Sequence, residues 1–152
     1  MEFTDKVKLR DVLSHAGRDY VVEGLLTYDV AGKTHRFARA QAGGDLVFIE
    51  LLTSEMDDRL LLLRDVRDLH LSTPPPASVH YHNASFVSRW SGLAAVGVEG
   101  QGGDRVSGSC EVWRYRAGGD LVLQIEKWGS SVRALFGESV PKGLIEHYPA
   151  GA

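Results

Sequence analysis

The sequence predicts an all-β fold: two related antiparallel β units, as small barrels or a sandwich, packed together with little helix. Three observations carry that reading. The segment Ala-Gly-Gly-Asp-Leu-Val-Phe-Ile-Glu at 42–50 returns at 117–126 as Ala-Gly-Gly-Asp-Leu-Val-Leu-Gln-Ile-Glu, six residues identical in a row and the trailing Ile-Glu one position late. Glycine and aspartate favour a tight turn, and the β-branched and aliphatic run behind them favours a strand. Turn signals recur about every 8 to 12 residues, the spacing of antiparallel sandwiches and barrels. Helical periodicity is scarce.

Taken in order, 1–11 reads as a loosely held arm with a short turn near Thr4 and Asp5. The first β unit spans 12–71. Within it 12–15 extends, Ala16-Gly17-Arg18 turns, and 20–28 forms a longer strand. Alternation on that strand places Tyr20, Val22, Leu26 and Tyr28 on one face, with Gly24 marking a bulge or bend. Ala31-Gly32-Lys33 turns the chain, 34–40 returns, and 46–53 is apolar on both faces apart from Glu50, as in a strand covered on both sides. Segment 57–69 fits either an N-capped helix or a polar turn entering a strand at 59–64, and the regular hairpin punctuation around it favours the strand.

The run Ser72-Thr73-Pro74-Pro75-Pro76-Ala77 continues neither helix nor central strand, and 72–77 is taken as the connection between halves that stay in contact. The second unit, 78–149, begins with strand 78–82, turns at Asn83-Ala84, and extends through 86–90 and again through 93–99. Glycine-rich 100–108 reads as a mobile hairpin connection, since it lacks the lysine and following helix of a phosphate loop. A strand at 110–116 carries Trp113 and Tyr115 on one face, 121–128 follows the repeated turn, and Val132, Ala134 and Phe136 alternate on a last long strand. One helical turn near 141–145 precedes a closing segment at 146–148.

Composition bounds the function. The chain has 152 residues, enough for one ordinary domain, and 43% hydrophobic with 24% charged content is that of a globular protein. Seventeen Lys and Arg against twenty Asp and Glu give a net charge of -3, which argues against a nucleic-acid partner. Residues 1–10 are polar with both charge signs, and no apolar run approaches a membrane span, so a cytoplasmic location is expected. The single cysteine, Cys110, allows no internal disulfide.

Chemistry-bearing residues are few, and no cofactor is expected. His80-Tyr81-His82 on a strand would project two imidazoles to one face, and His15, in the comparable place of the first half, is a candidate third metal ligand. The competing reading makes them half-exposed polar positions. Cys110 is either a nucleophile or a small buried hydrophobe. Glu50 and Glu126, related by the repeat, suit a shared structural task such as bonding a turn or an arginine better than an acid–base pair. Trp90, Trp113, Tyr115 and Trp128 would form a partner-binding surface if exposed, and core otherwise.

Gly17-Arg18-Asp19-Tyr20-Val21-Val22-Glu23-Gly24, Val112-Trp113-Arg114-Tyr115, the following 121–125, Glu126-Lys127-Trp128-Gly129 and Gly137-Glu138-Ser139-Val140-Pro141 together resemble the bacterial family known as domain of unknown function 4178, over about 12–148. The resemblance implies a β-rich domain without an established enzyme activity, accessory to polyamine-related or membrane-stress gene systems. It supplies no catalytic residues. Where the family's strand after the first turn is expected to be rich in tryptophan and tyrosine, this chain has Thr34-His35-Arg36-Phe37, so an aromatic binding face there would be altered. The expectation is a non-enzymatic binding or adaptor module with a protein partner and no enzyme activity. The alternative is a small-ligand or metal-binding domain near His80 and His82. The oligomeric state is not legible.

Overall fold

In the computed structural model, which describes residues 3–52 and 58–151, 66% of the chain is strand and 4% helix, so the all-β expectation holds. Eleven strands run in chain order: β1 (Val12–His15), β2 (Arg18–Val30), β3 (Lys33–Ala42), β4 (Asp45–Leu52), β5 (Arg59–Val66), β6 (Ser78–Tyr81), β7 (Ala84–Gly100), β8 (Gly108–Ala117), β9 (Leu121–Trp128), β10 (Ser131–Pro141) and β11 (Glu146–Tyr148). Their order in the sheet is β11-β1-β2-β3-β4-β5-β10-β9-β8-β7-β6, and pairing of β2 with β7 closes eight of them into a barrel. The two units therefore share one closed barrel. Closure removes the exposed sheet edges that an open β protein must protect, and the remaining edge strands, β6 and β11, are short. Segment 59–66 is strand, while the polar turn expected ahead of it falls largely outside the described residues.

The two halves follow one plan. In β1–β2, Ala16 and Gly17 turn the chain with φ of 51° and 78°; in β6–β7, His82 and Asn83 do so with 48° and 59°. Two consecutive positive φ values are the signature of the hairpin turn whose twist suits antiparallel strands. Each long strand then breaks register at a matching place, β2 between Val22 and Gly24 and β7 between Ser88 and Trp90. Where the halves meet, β5 pairs with β10 through Arg64 and Phe136, and β2 with β7 through Asp29 and Ala95. Those residues occupy equivalent places in the two units, so an approximate twofold axis passes through both pairs.

The bulge on β2 changes the face expected of its side chains. Tyr20 and Val22 pack in an outer core with Leu13, Ile49 and Leu62, whereas Leu26 and Tyr28 turn into the barrel. An extra residue in one strand shifts every later side chain to the other face. The bulge was legible from Gly24, but its consequence was not. An ideal Cβ on Gly24 would sit 1.9 Å from the Gln101 carbonyl oxygen, so no other residue fits there. Likewise 86–90 and 93–99 belong to one strand, β7, with a bulge inside it.

Three apolar cores result. The barrel interior takes side chains from all eight strands, including Phe37, Phe48, Leu63, Val96, Val112 and Leu135. The first half covers its outer face with β1, the start of β2 and the N-terminal arm; the second covers its own with β6, the start of β7 and the chain around Leu69 and Leu71. The arm is held more firmly than its sequence suggests. Val7 is buried, and Arg36 donates to the carbonyls of Thr4 (2.9 Å) and Val7 (2.7 Å). The proline-rich connection is pinned by Tyr115, whose hydroxyl donates to the Pro76 carbonyl (2.7 Å).

The one-position slip in the repeat is absorbed at the turn. Ala42 pairs with Asp45 across two glycines, but Ala117 pairs with Leu121 across Gly118, Gly119 and Asp120. The longer second turn restores phase, so Ile49 and Ile125 face outer cores while Glu50 and Glu126 share the barrel interior with the arginines they bond.

The junction of the halves is tight at Gly137, where an ideal Cβ would lie 1.9 Å from the Leu62 carbonyl oxygen. Gly137→Ala is expected to destabilise the fold by about 2–3 kcal/mol through backbone displacement. Gly118→Ala, with open space around it, should cost well under half of that, as read by denaturant unfolding of the two variants side by side.

Candidate functional site

The four aromatic residues expected at a partner surface are buried or half-buried and lie on two different faces. Trp90 and Trp128 pack against the barrel interior; Trp113 and Tyr115 belong to the outer core of the second half. The histidines do not converge either. His80 is exposed on β6 with Nδ1 3.0 Å from Ser85 Oγ, while His82 sits in the turn beyond the strand, its ring stacked on Phe136 at 5.1 Å. The same-face geometry needs both on one strand, and the turn removes it. His15 sits beside the start of β2 and His80 beside the start of β7, at opposite ends of the antiparallel β2–β7 ribbon. Among the described residues, no group of three or more His, Cys, Asp or Glu side chains is placed to hold a metal ion.

A charged network occupies the barrel interior instead. Arg114 Nη2 donates to Glu50 Oε1 at 2.6 Å and its Nε to Gln124 at 3.0 Å. Gln124 donates to Glu126 Oε2 at 2.6 Å, and Glu126 Oε1 also accepts from Tyr28, Trp128 and Arg105 at 2.8–3.0 Å. Arg105 comes from the β7–β8 connection, reaches on to Asp65 (3.2 Å), and lies 4.6 Å over the Phe48 ring. That buried side chain fastens a connection whose glycine content suggests mobility. At the other end Arg114 lies 5.0 Å over Trp90, which stacks on His35 at 4.7 Å. A cavity of about 190 Å³ opens there beside Val30, Lys33, His35 and Trp90.

Isolated charges inside a protein are very costly, so each carboxylate needs its arginine. The expectation that Glu50 and Glu126 share a structural task with arginines is what the geometry shows. Burial first, and then the Glu126 charge, push the Tyr28 phenol well above its ordinary range. Burial and Glu126 push the Cys110 thiol up to about 12, so it stays protonated near neutral pH.

A groove of about 750 Å³ lies outside the barrel on the first half. Its centre is Asp45, which accepts from Arg64 Nε (2.9 Å), Arg64 Nη2 (3.0 Å), Arg18 Nη1 (2.9 Å) and the Tyr20 hydroxyl (2.8 Å). His15 and Glu138 stand on its rim. The Arg64 hydrogen bonds, aided by Tyr20 and Arg18, hold the Asp45 carboxyl well below its usual range against the effect of burial. Of these residues the sequence singled out His15 alone, and as a metal ligand rather than as part of this groove, although Asp45 is the aspartate of the repeated corner.

The twin half fills the same position with different chemistry. In place of His15, Arg18, Tyr20, Asp45 and Arg64 it has Tyr81, Ala84, Phe86, Leu121 and Phe136, as the matched registers define. These pack as an aromatic and apolar cluster, with Phe136 5.2 Å from Tyr81 and 6.0 Å from Phe86. One scaffold position is thus apolar and filled in one half, charged and open in the other.

Two measurements probe these arrangements. Arg114→Met removes the guanidinium from buried Glu50, leaving it only the His35 ring 3.9 Å away, and is expected to cost about 3–5 kcal/mol in chemical denaturation. For Asp45, a carboxyl depressed in the folded state contributes stability above its unfolded value, near pH 4, that is lost as pH falls through the folded value. Asp45→Asn should therefore flatten the loss of stability below about pH 4, measured as denaturation midpoint against pH.

Comparison with curated proteins and with solved structures finds no match. Among the described residues no helix is long and apolar enough to cross a membrane. The model of the family described as domain of unknown function (DUF4178) matches residues 8–142, which takes in every barrel strand and the residues of the Asp45 groove. This chain belongs to the DUF4178 family.

Proposed function

We propose that this chain is a non-enzymatic binding module whose binding surface is the groove around Asp45. The observation that carries the reading is the contrast between the halves. Phe86, Leu121 and Phe136 satisfy the fold at one copy of the position, so the charged set at the other copy is not required by packing. The matched turns and bulges support a doubled ancestral unit in which one copy of this place has been kept for structure and the other turned to recognition. Charged, incompletely packed clusters of this kind are where folds give up stability for function.

The buried carboxylates and the thiol are committed elsewhere. Glu50 and Glu126 are bonded to arginines, and the Cys110 thiol is buried, which supports a binding role over a catalytic one. The aromatic residues of the second half are too buried to form the main docking face, so the adaptor reading moves to the first half. A binding module is compatible with the accessory role in polyamine-related or membrane-stress gene systems that the family resemblance implies.

Installing the twin's residues tests the division of labour. The triple variant Tyr20→Phe, Asp45→Leu, Arg64→Phe is expected to remain folded, within about 1 kcal/mol of the parent or more stable than it, because well-packed apolar groups commonly replace ionic clusters without loss. A loss above about 2 kcal/mol in thermal or denaturant unfolding would show the cluster to be a folding device and would sink the reading.

A further inference from the structure

We propose that the Asp45 groove takes an oxyanion, a carboxylate or a phosphate, seated between Arg18 and Arg64; this rests on the groove being the binding surface. Two guanidinium groups converge there on one carboxylate. Arg64 spends Nε and Nη2 on Asp45, and Arg18 spends Nη1. A guanidinium carries five N–H donors in a planar fork, so each arginine keeps donors for a ligand. Both side chains are open to solvent, Arg18 at 59% and Arg64 at 45%, while Asp45 is only 17% exposed. Asp45 Oδ2 already receives three hydrogen bonds and Oδ1 one, so the carboxylate has little acceptor capacity left for anything further. What the groove still offers a visitor is mostly donors.

The second argument is preorganisation. Arg64 is gripped in a two-point fork and Tyr20, itself buried, braces the same carboxylate. Fixing an arginine in advance lowers the entropic cost of a later bidentate contact with carboxylate or phosphate. His15 on the rim adds a ring nitrogen that can donate to the same anion. Glu138, exposed on the β10 side, is the acid that opposes anions. It favours ligands whose negative charge is local and faces the arginines, over ones charged all along their length. A cation entering the groove would face both guanidinium groups, and an apolar ligand would leave their donors unanswered.

The test is a two-dimensional amide NMR titration of the full chain with inorganic phosphate, an end-blocked glutamate-containing peptide, its lysine counterpart and its serine counterpart. Phosphate, the acidic peptide or both are expected to shift amides near Arg18, Gly44, Asp45 and Arg64, and which of the two does so identifies the source of the oxyanion. The Arg18→Ala/Arg64→Ala double variant should weaken that binding about ten-fold or more, Arg64→Lys should weaken it while keeping the charge, and Glu138→Gln should tighten it several-fold. Thermal midpoints of the variants separate lost binding from lost fold. Saturable shifts in the groove from the lysine or serine peptide, with none from the anions, would overturn the oxyanion and leave the binding surface standing. The absence of groove shifts from all four, or shifts confined to the barrel mouth near His35 and Trp90, would overturn both.

Discussion

The constraint on which this fold depends is electrostatic: Glu50 and Glu126 are fully buried and must each meet an arginine inside the barrel. The partners are supplied across the molecule. Glu50, on the first half, is bonded by Arg114 of the second, while Glu126, on the second, accepts from Tyr28 of the first and from Arg105. Two separate small barrels would strand Glu50 without its cation, in surroundings where an uncompensated charge costs several kcal/mol. One shared barrel is the arrangement in which every buried charge is answered. The same pairs bear on register. Sliding β9 by a single residue would move Gln124 and Glu126 to the outer core and bring Leu123 and Ile125 into the interior, taking Gln124 from Arg114 and Glu126 from Arg105.

The approximate twofold axis relates backbone far more strictly than chemistry. Turns, bulges and strand pairings recur, yet Phe48 stands where Gln124 stands in the other half, and Gly24 where Trp90 does. The exchanges are coupled. Gly24 leaves room for the Gln101 carbonyl, which lets the β7–β8 connection fold down and deliver Arg105 to Glu126. At the opposite end the larger Trp90 occupies the matching place and covers Arg114 and His35. Each end of the barrel is therefore closed by a different device, an inserted arginine at one and a stacked indole at the other.

Much of this architecture was legible in the sequence. The repeated Ala-Gly-Gly-Asp corner, the period-two alternation of β8 and β10 and the bulge glycine at 24 all report local backbone physics, which a short window contains. The shared task of Glu50 and Glu126 was readable because the repeat made them equivalent and strand 46–53 left no polar outlet for a carboxylate. Other features depend on contacts between distant segments. Nothing local announces that Arg105, in a glycine-rich connection, is a core residue, because its burial is created by Glu126 and Asp65. The groove was hidden for the same reason: His15, Arg18, Tyr20, Asp45 and Arg64 lie on four strands and meet only when β1 and β2 fold over β4 and β5. His80 and His82 failed in the other direction. Their spacing suits a strand, but the two-residue turn claims His82 at positive φ.

The distribution of charge also bears on where a ligand can act without dismantling the fold. Inside the barrel nearly every polar group is committed to another, and a ligand displacing Arg105 or Arg114 would have to answer a buried carboxylate as well as the arginine did. One exception is Glu50 Oε2, buried and without a hydrogen-bond partner among the described residues, at the end where the cavity beside His35 is small. Outside, at Asp45, the exchange is far cheaper. Water already screens the arginines, so a ligand oxyanion replaces solvent and breaks no buried pair. Recognition at Asp45 can therefore be strengthened or lost by changes on a solvated rim, while the interior network that holds the barrel closed is left untouched.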